Sequence, residues 1–333
     1  MERKMTRLAV LRRAFLCALV LALGSLATAQ QPKRLPRVGY LAAISASADA
    51  PRLEAFRRGL RELGYVEGQN ILIEYRHESS DFERLPGLAA ELINRDIDVM
   101  VAVTTNAALA AKKTSKSTPV IFMGVTDPIS AGLAESLARP GGNCTGITNV
   151  AAILTGKRLE LLKLAIPGAT RVAVLWDPQA PGSKPQWEAS SKPAEKLDLS
   201  LYSMEVSNSG DYAAAFRQAV KAGSGAVWVT LNPLANSNQK LIAEFAIDNR
   251  LPSICARGDY ADNGCLMAYG PGYSIEGRDG ARFVDKILNG AKPADLPIEQ
   301  PTQFELVVNL KTAKRIGYSI PQSVLARADK VIQ

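Results

Sequence analysis

The chain is predicted to be an α/β protein built as two doubly wound lobes with parallel sheets, and three observations carry that prediction. Short apolar runs alternate with longer helical patterns almost from end to end. Several of the runs, such as VMVAV (99–103) and AVWVT (226–230), are continuously hydrophobic and do not alternate. Strands buried on both faces look like this, which points to parallel sheets covered by helices. Finally, about 300 residues remain after an N-terminal targeting segment, more than one hydrophobic core usually serves.

The strand candidates in order are Arg37–Ala42, 71–75, 98–103 and 119–125. After Gly146 they resume as Arg171–Trp176, 199–206, 225–231, 252–255 and 265–269. Between them lie helices with apolar residues three and four apart. Leu53, Phe56, Leu60 and Leu63 form one stripe, stopped by Gly64, and Leu85, Leu88, Leu92 and Ile93 form the next. Further helices are expected at Thr155–Ala165, 184–197, Tyr212–Lys221, 234–249 and 275–288. The alternation breaks at Arg139-Pro140-Gly141-Gly142-Asn143, at Gly270-Pro271-Gly272 and in the Pro-rich stretch 292–301. Breaks at such places suit a chain that builds one lobe, crosses to another and returns. The expected division is a lobe of 34–147 with 272–301 and a second of 148–271 with 302–333.

Residues 1–29 read as a cleavable secretory signal. Arg3, Lys4, Arg7, Arg12 and Arg13 precede an apolar run from Ala14 to Leu26, and Ala27-Thr28-Ala29 is a small-x-small cleavage pattern. That run is shorter than the roughly 20 residues a membrane span needs. Cys17 follows the bulky Phe15 and Leu16 and is not placed for lipid attachment, while Arg12-Arg13 partly resembles a twin-arginine signal. The expected location is therefore the periplasm. Removal of the signal takes five Lys/Arg and one Asp/Glu, lowering the formal net charge from +8 to +4. A mildly positive remainder calls for no nucleic acid partner. Three cysteines remain; Cys255 and Cys265 either form a disulfide across a short polar loop or stay, with Cys144, as unlinked buried thiols.

The sequence offers nothing positive for catalysis. His77 is the single histidine, so no His-rich zinc site can be built. GxSxG and GxxxxGK[ST] are absent, and Gly270-Pro271-Gly272 lacks the third glycine of a dinucleotide loop. No enzyme activity, cofactor or metal is expected. In open parallel sheets ligands bind beyond the carboxyl ends of strands, at helix N-termini. Those positions carry Ser45 and Ser47, then Thr104, Thr105 and Asn106, whose hydroxyls and backbone N–H groups can hold a carboxylate or simply cap a helix. Next come Thr126 and Asp127, the latter a cap or an acceptor for an ammonium. The second half contributes Asp177, Asn232, Arg257, Asp259 and Tyr260. Arg257 suits a carboxylate through its bidentate fork, Asp177 or Asp259 suits a cation, and Tyr260 can stack on a flat group. Ion pairs between lobes and solvated turns compete with each of these readings, and Trp176 reads as core.

Five segments carry a family resemblance: AFRRGLRELGYVEGQNILIEY (55–75), LPGLAAELINRDIDVMVA (85–102), DPISAGLAESLARPGGNCTGIT (127–148), GKRLELLKLAIPGATRVAVL (156–175) and FELVVNLKTAKRIGYSIPQSVLARADKVI (304–332). Together they resemble the ABC-transporter substrate-binding proteins related to bacterial tryptophan- and tyrosine-binding components. The resemblance implies a type I periplasmic binding fold, two α/β lobes joined by a three-strand hinge. It also implies delivery to an inner-membrane permease with its cytoplasmic ATPase, and members with known ligands hold aromatic amino acids; the expected solute is a small carboxylate or amino acid-like molecule captured by hinge closure, and the chain is expected to be a monomer. The chain departs from the family pattern at Thr104-Thr105-Asn106, where a Gly–Thr/Ser–Pro stretch is common, and at Arg257-Gly258-Asp259-Tyr260. A ligand-sensing partner of a membrane receptor and an exported enzyme on the same scaffold are the alternatives.

Overall fold

The computed structural model describes residues 34–79 and 81–333, with only the backbone of Tyr273 and Ser274. The signal segment 1–29 lies outside the described residues. Two sheets organise the chain. The first contains β1 (Arg37–Ala42), β2 (Leu72–His77), β3 (Val99–Val103), β4 (Val120–Val125) and β5 (Cys144–Thr148), ordered β2-β1-β3-β4-β5 and parallel throughout. The second is ordered β12-β11-β10-β9-β8-β6-β7, from β6 (Arg171–Trp176), β7 (Ser200–Glu205), β8 (Ala226–Val229), β9 (Ser253–Cys255), β10 (Met267–Gly270), β11 (Glu305–Asn309) and β12 (Lys330–Ile332). Its only antiparallel pair among the described residues is β10 with β11.

Thirteen α-helices follow the strands among the described residues: α1 (Ala46–Glu62), α2 (Leu85–Ile93), α3 (Thr105–Thr114), α4 (Thr155–Ala165), α5 (Lys184–Glu188), α6 (Ser191–Lys196), α7 (Tyr212–Lys221), α8 (Pro233–Ser237), α9 (Gln239–Asp248), α10 (Gly258–Asp262), α11 (Tyr273–Leu288), α12 (Leu310–Arg315) and α13 (Gln322–Leu325). Alternate strand residues feed opposite faces. Val38, Tyr40 and Val101 pack with Phe56 and Leu60 of α1 and Phe283 and Val284 of α11. Leu41, Met100 and Ala102 pack with Leu85 and Leu92 of α2 and Ala107, Ala108 and Ala111 of α3. In the second sheet Val172, Val174 and Trp228 face α4, α12 and α13, while Ala173, Leu175 and Val227 face α7 and α9. The result is two α/β lobes with parallel sheets covered on both faces.

The chain crosses between sheets at 149–154, 271–272 and 300–304, because β5 leads into α4, β10 into α11, and the stretch beside β5 into β11. Glu299 bonds along β5, its N–H donating to Gly146 O at 2.9 Å, before the last crossing.

Element boundaries differ from the sequence reading where local chemistry is mixed. β5, β11 and β12 were not among the strand candidates. CTGIT and the exposed KVI lack the long apolar run of a buried strand, and only pairing along β4 and β11 makes them strands. The helix expected over 184–197 is two helices divided at Ala189-Ser190, and the one over 234–249 is divided at Asn238. Asn and Ser favour such breaks because their side chains compete for backbone groups; Asn238 Nδ2 donates to Leu234 O at 2.8 Å.

Candidate functional site

The carboxyl ends of strands from both sheets meet in one small cavity. It is lined by Arg52, Thr104, Thr105, Asn106, Gly124 and Thr126 from the first lobe, by Asn149 of the first crossing, and by Gly182, Leu231, Asn232, Pro233, Asn236 and Arg257 from the second. Its volume is about 20 Å³. An outer groove of about 480 Å³, lined by Ser45, Ser47, Pro51, Gln239, Lys240, Asp259 and others, shares Asn236 with it. A second groove of about 410 Å³, lined by Asp127, Ser130 and the stretch from Pro178 to Pro181, shares Thr105.

The lobes touch tightly here. A Cβ placed on Gly182 would lie 2.8 Å from Thr126 Oγ1 and 3.0 Å from Thr105 Oγ1. Gly124 lines the same cavity and packs within the first lobe. It has φ 70°, it interrupts the register of β4 against β5 between Met123 and Val125, and a Cβ on it would sit 3.6 Å from Arg52 Nη2 and Glu276 Oε2. A bulge of this kind re-aims the strand end toward a site.

Each lobe brings one buried guanidinium to the cavity and pairs it internally. Arg52, on the buried stripe of α1, donates from Nη1 to Asp49 Oδ1 at 2.7 Å and from Nε to Glu276 Oε2 at 3.0 Å. Asp49 also accepts from Tyr40 OH at 2.8 Å, and His77 Nε2 lies 3.4 Å from its Oδ2. Burial raises the Asp49 carboxyl, but hydrogen bonding to His77 together with Arg52 and Tyr40 holds it below its ordinary value. In the second lobe Arg257 donates to Asp259 from Nε at 2.6 Å and from Nη2 at 3.0 Å. Gln239 Nε2 donates to Asp259 at 2.6 Å. Burial again pushes Asp259 up, and Arg257 with Gln239 outweighs it, leaving the carboxyl low.

The expected residues divide by location. Thr104, Thr105, Asn106, Thr126, Asn232 and Arg257 line the inner cavity. Ser45, Ser47 and Asp259 line the outer groove, with Ser45 also capping α1 by accepting from Ala48 N at 3.3 Å. Asn232 Oδ1 likewise caps α8, accepting from Ala235 N at 2.8 Å. Asp127 lines the second groove and closes its own turn, accepting from Ser130 N at 3.0 Å and Ser130 Oγ at 2.6 Å.

Asp177 and Tyr260 line none of these cavities. Asp177 accepts from Gln179 N and Ser207 Oγ at 2.9 Å each. Tyr260 is buried in the second lobe's core, where its OH donates to Asn236 Oδ1 at 2.8 Å, so its ring is not presented for stacking. Trp176 packs against Trp187 with ring centroids 5.7 Å apart. Cys255 and Cys265 form a disulfide, and Cys144 is a buried free thiol.

Arg52, Gly124, Asn149, Gly182, Asn236 and Glu276 were not anticipated. A signal existed for Arg52: it stands four residues before Phe56, a charge on the apolar stripe of α1. Glu276 is 224 residues away from its partner, and nothing local reveals it. Among the described residues no group of His, Cys, Asp or Glu could hold a metal ion, and no helix is long and apolar enough to cross a membrane.

Comparison with known proteins agrees with this geometry. The family of ABC transporter substrate binding proteins matches residues 37–332. A tyrosine-binding protein of Clostridioides difficile is 28% identical over 280 residues, covering 82% of this chain and 79% of that protein. Among solved structures, a conserved domain protein from Vibrio cholerae aligns with a TM-score of 0.85 at 26% identity, over 90% of this chain and 100% of the other. A domain from Streptococcus pneumonia in complex with L-Trp aligns with a TM-score of 0.83 at 26% identity and the same coverage. With strand ends of two α/β lobes converging on one cavity and the family pattern running through both, this chain belongs to the ABC transporter substrate binding proteins.

Proposed function

We propose that the chain is the exported solute-binding component of an ABC importer. It captures a small amino acid-like carboxylate between its lobes by hinge closure and does no chemistry on it. The observation that carries this reading is the cavity whose walls come from both sheets. A ligand shifts an open–closed equilibrium only by its extra affinity for the closed form, so it must touch both walls. Lobes of 34–147 with 272–301 and of 148–271 with 302–333, turning about the three crossings, are the moving bodies. The closed form then docks on an inner-membrane permease served by a cytoplasmic ATPase. The relatives that hold tyrosine or tryptophan support an amino acid as the solute.

Calorimetric titration with L-tyrosine and L-tryptophan, alongside X-ray scattering with and without each, tests the proposal. Binding accompanied by a smaller radius of gyration is expected. Binding with no change of shape would refute hinge closure, and conversion of the solute would refute a purely binding role.

A further inference from the structure

Thr104 joins β3 to α3 with φ 82° and ψ 165°, a conformation that a β-branched residue adopts only under strain. Its hydroxyl makes no capping bond to α3. Oγ1 is buried without a hydrogen-bond partner, although the residue is only 8% exposed. Both penalties fall on a side chain that lines the inner cavity. Buried polar atoms in folded proteins are almost always paired, and local rules are broken chiefly at functional sites.

Three surroundings point to the same partner. The first-turn N–H groups of the ten-residue helix α3 have no intrahelical acceptor, Thr105 and Asn106 of that turn line the inner cavity, and such a helix end favours an anion. Arg52 and Arg257 line the same space. The inner cavity, about 20 Å³, matches one or two water-sized groups, each needing roughly 10–15 Å³. That is the scale of a carboxylate and not of a whole amino acid, and Asn236 connects it to the larger outer groove.

We propose that Thr104 is a specificity-determining donor. Its hydroxyl and the first-turn N–H groups of α3 hold the carboxylate of the bound solute in the inner cavity, and the rest of the solute extends into the outer groove. The assignment rests on the solute-binding reading given above.

Three variants separate the hydroxyl from the strain: Thr104→Ser keeps the donor, Thr104→Val keeps the branched shape without it, and Thr104→Gly removes both donor and strain. Sodium acetate serves as the probe, with acetamide as its uncharged isostere and L-tyrosine as the larger solute, each followed by thermal shift at matched ionic strength. Acetate should protect the wild type and Thr104→Ser with millimolar affinity, and acetamide should not. Thr104→Val and Thr104→Gly should bind acetate about tenfold more weakly. Without ligand, Thr104→Gly should melt above the wild type.

Equal protection of Thr104→Val and the wild type would overturn the proposal, as would Thr104→Gly melting at or below the wild type. A wild type that binds L-tyrosine but ignores acetate would overturn the carboxylate placement and leave the solute-binding reading standing. Failure with both probes would remove the amino acid-like carboxylate itself, and this proposal with it.

Discussion

Gly182→Ala tests the proposed lobe closure separately from folding. Gly182 does not have a positive φ, so alanine meets no backbone strain there. The added methyl would meet Thr126 Oγ1 at 2.8 Å and Thr105 Oγ1 at 3.0 Å, both on the opposite lobe. Neither hydroxyl is the tip of a long chain that can swing aside. Thr126 Oγ1 also accepts from Asn149 Nδ2 at 3.3 Å, and rotating a threonine replaces the oxygen by a methyl. Restoring an ordinary contact therefore needs the lobes to part by about 0.6 Å at this point, and a radial gap of roughly that size forfeits a quarter to a half of each contact it opens. Overpacking of this kind costs about 1–3 kcal/mol, and under the proposed hinge closure the cost falls on the closed form alone. Affinity for L-tyrosine or L-tryptophan, measured by calorimetry, should fall about tenfold for each ~1.4 kcal/mol. The ligand-free melting temperature should hold or rise slightly, because Gly→Ala reduces unfolded-chain entropy by about 0.4–1 kcal/mol. Adding Thr126→Ala should recover part of the affinity through coupling across the contact. Unchanged affinity would refute the argument, and so would equal losses of affinity and melting temperature.

Arg158 is fully buried and donates only to backbone carbonyls: Nε to Tyr269 O at 2.9 Å, Nη1 to Ala151 O at 2.8 Å and Nη2 to Ala256 O at 3.3 Å. Burial, chiefly, lowers its pKa to about 9. Since these carbonyls lie on two approaches to the crossings and just before Arg257, Arg158→Lys should broaden interlobe distances between spin labels at Ser130 and Lys184; an unchanged distribution would argue against a hinge role. Asp49→Asn should destabilise by about 3 kcal/mol, as read from urea unfolding, because buried Arg52 loses one of its carboxylate partners. Because the folded Asp49 and Asp259 carboxyls sit below their ordinary value, their stabilisation is present above about pH 4 and is lost as pH falls through the lower folded values. Melting temperature should therefore drop below about pH 4, less steeply in Asp49→Asn than in the wild type. Replacing Cys255 and Cys265 by alanine opens a loop with a sequence separation of 10, and should cost about 2–3 kcal/mol of unfolding free energy.

The sequence reveals whatever is repeated along a short stretch. Continuous apolar runs marked β3, β4, β6 and β8 because each is buried on both faces. The strand-end loops were legible for the same reason, since a ligand position follows from where a strand stops. β12 was not, because its residues are mostly exposed and its pairing with β11 is the only thing holding it extended. The site follows the same division. Thr104 stands directly after β3, and Asn232 and Arg257 follow shortly after the ends of β8 and β9, whereas Arg52 lies mid-helix and Gly182 is one glycine in a Pro-rich loop. Their importance arises from contacts with residues far away in the chain, and sequence patterns record no such contact.

The pairing of charges within each lobe bears on what kind of recognition this cleft can perform. A guanidinium left for the solute alone would be stripped of water whenever the lobes met without one, and an uncompensated buried charge is costly. Arg52 is instead held between Asp49 and Glu276, and Arg257 by both oxygens of Asp259, inside their own lobes. The proposed closure would then bring together two surfaces whose arginines already have carboxylate partners. The paired arginines consequently set a positive surrounding without binding the solute's charge alone, and the pattern of hydrogen-bond donors at the strand ends and helix N-terminus does more to select it. Beside the two paired arginines, the polar groups of the cavity walls are the amides and hydroxyls of Thr104, Thr105, Asn106, Thr126, Asn149, Asn232 and Asn236. A site built from buried polar groups rejects an analogue that lacks the matching group far more strongly than an apolar pocket rejects one of the wrong size. Selectivity in this protein should accordingly be set at the inner cavity, where groups are pinned by strand ends and helix caps, while the open outer groove tolerates variation in the remainder of the solute.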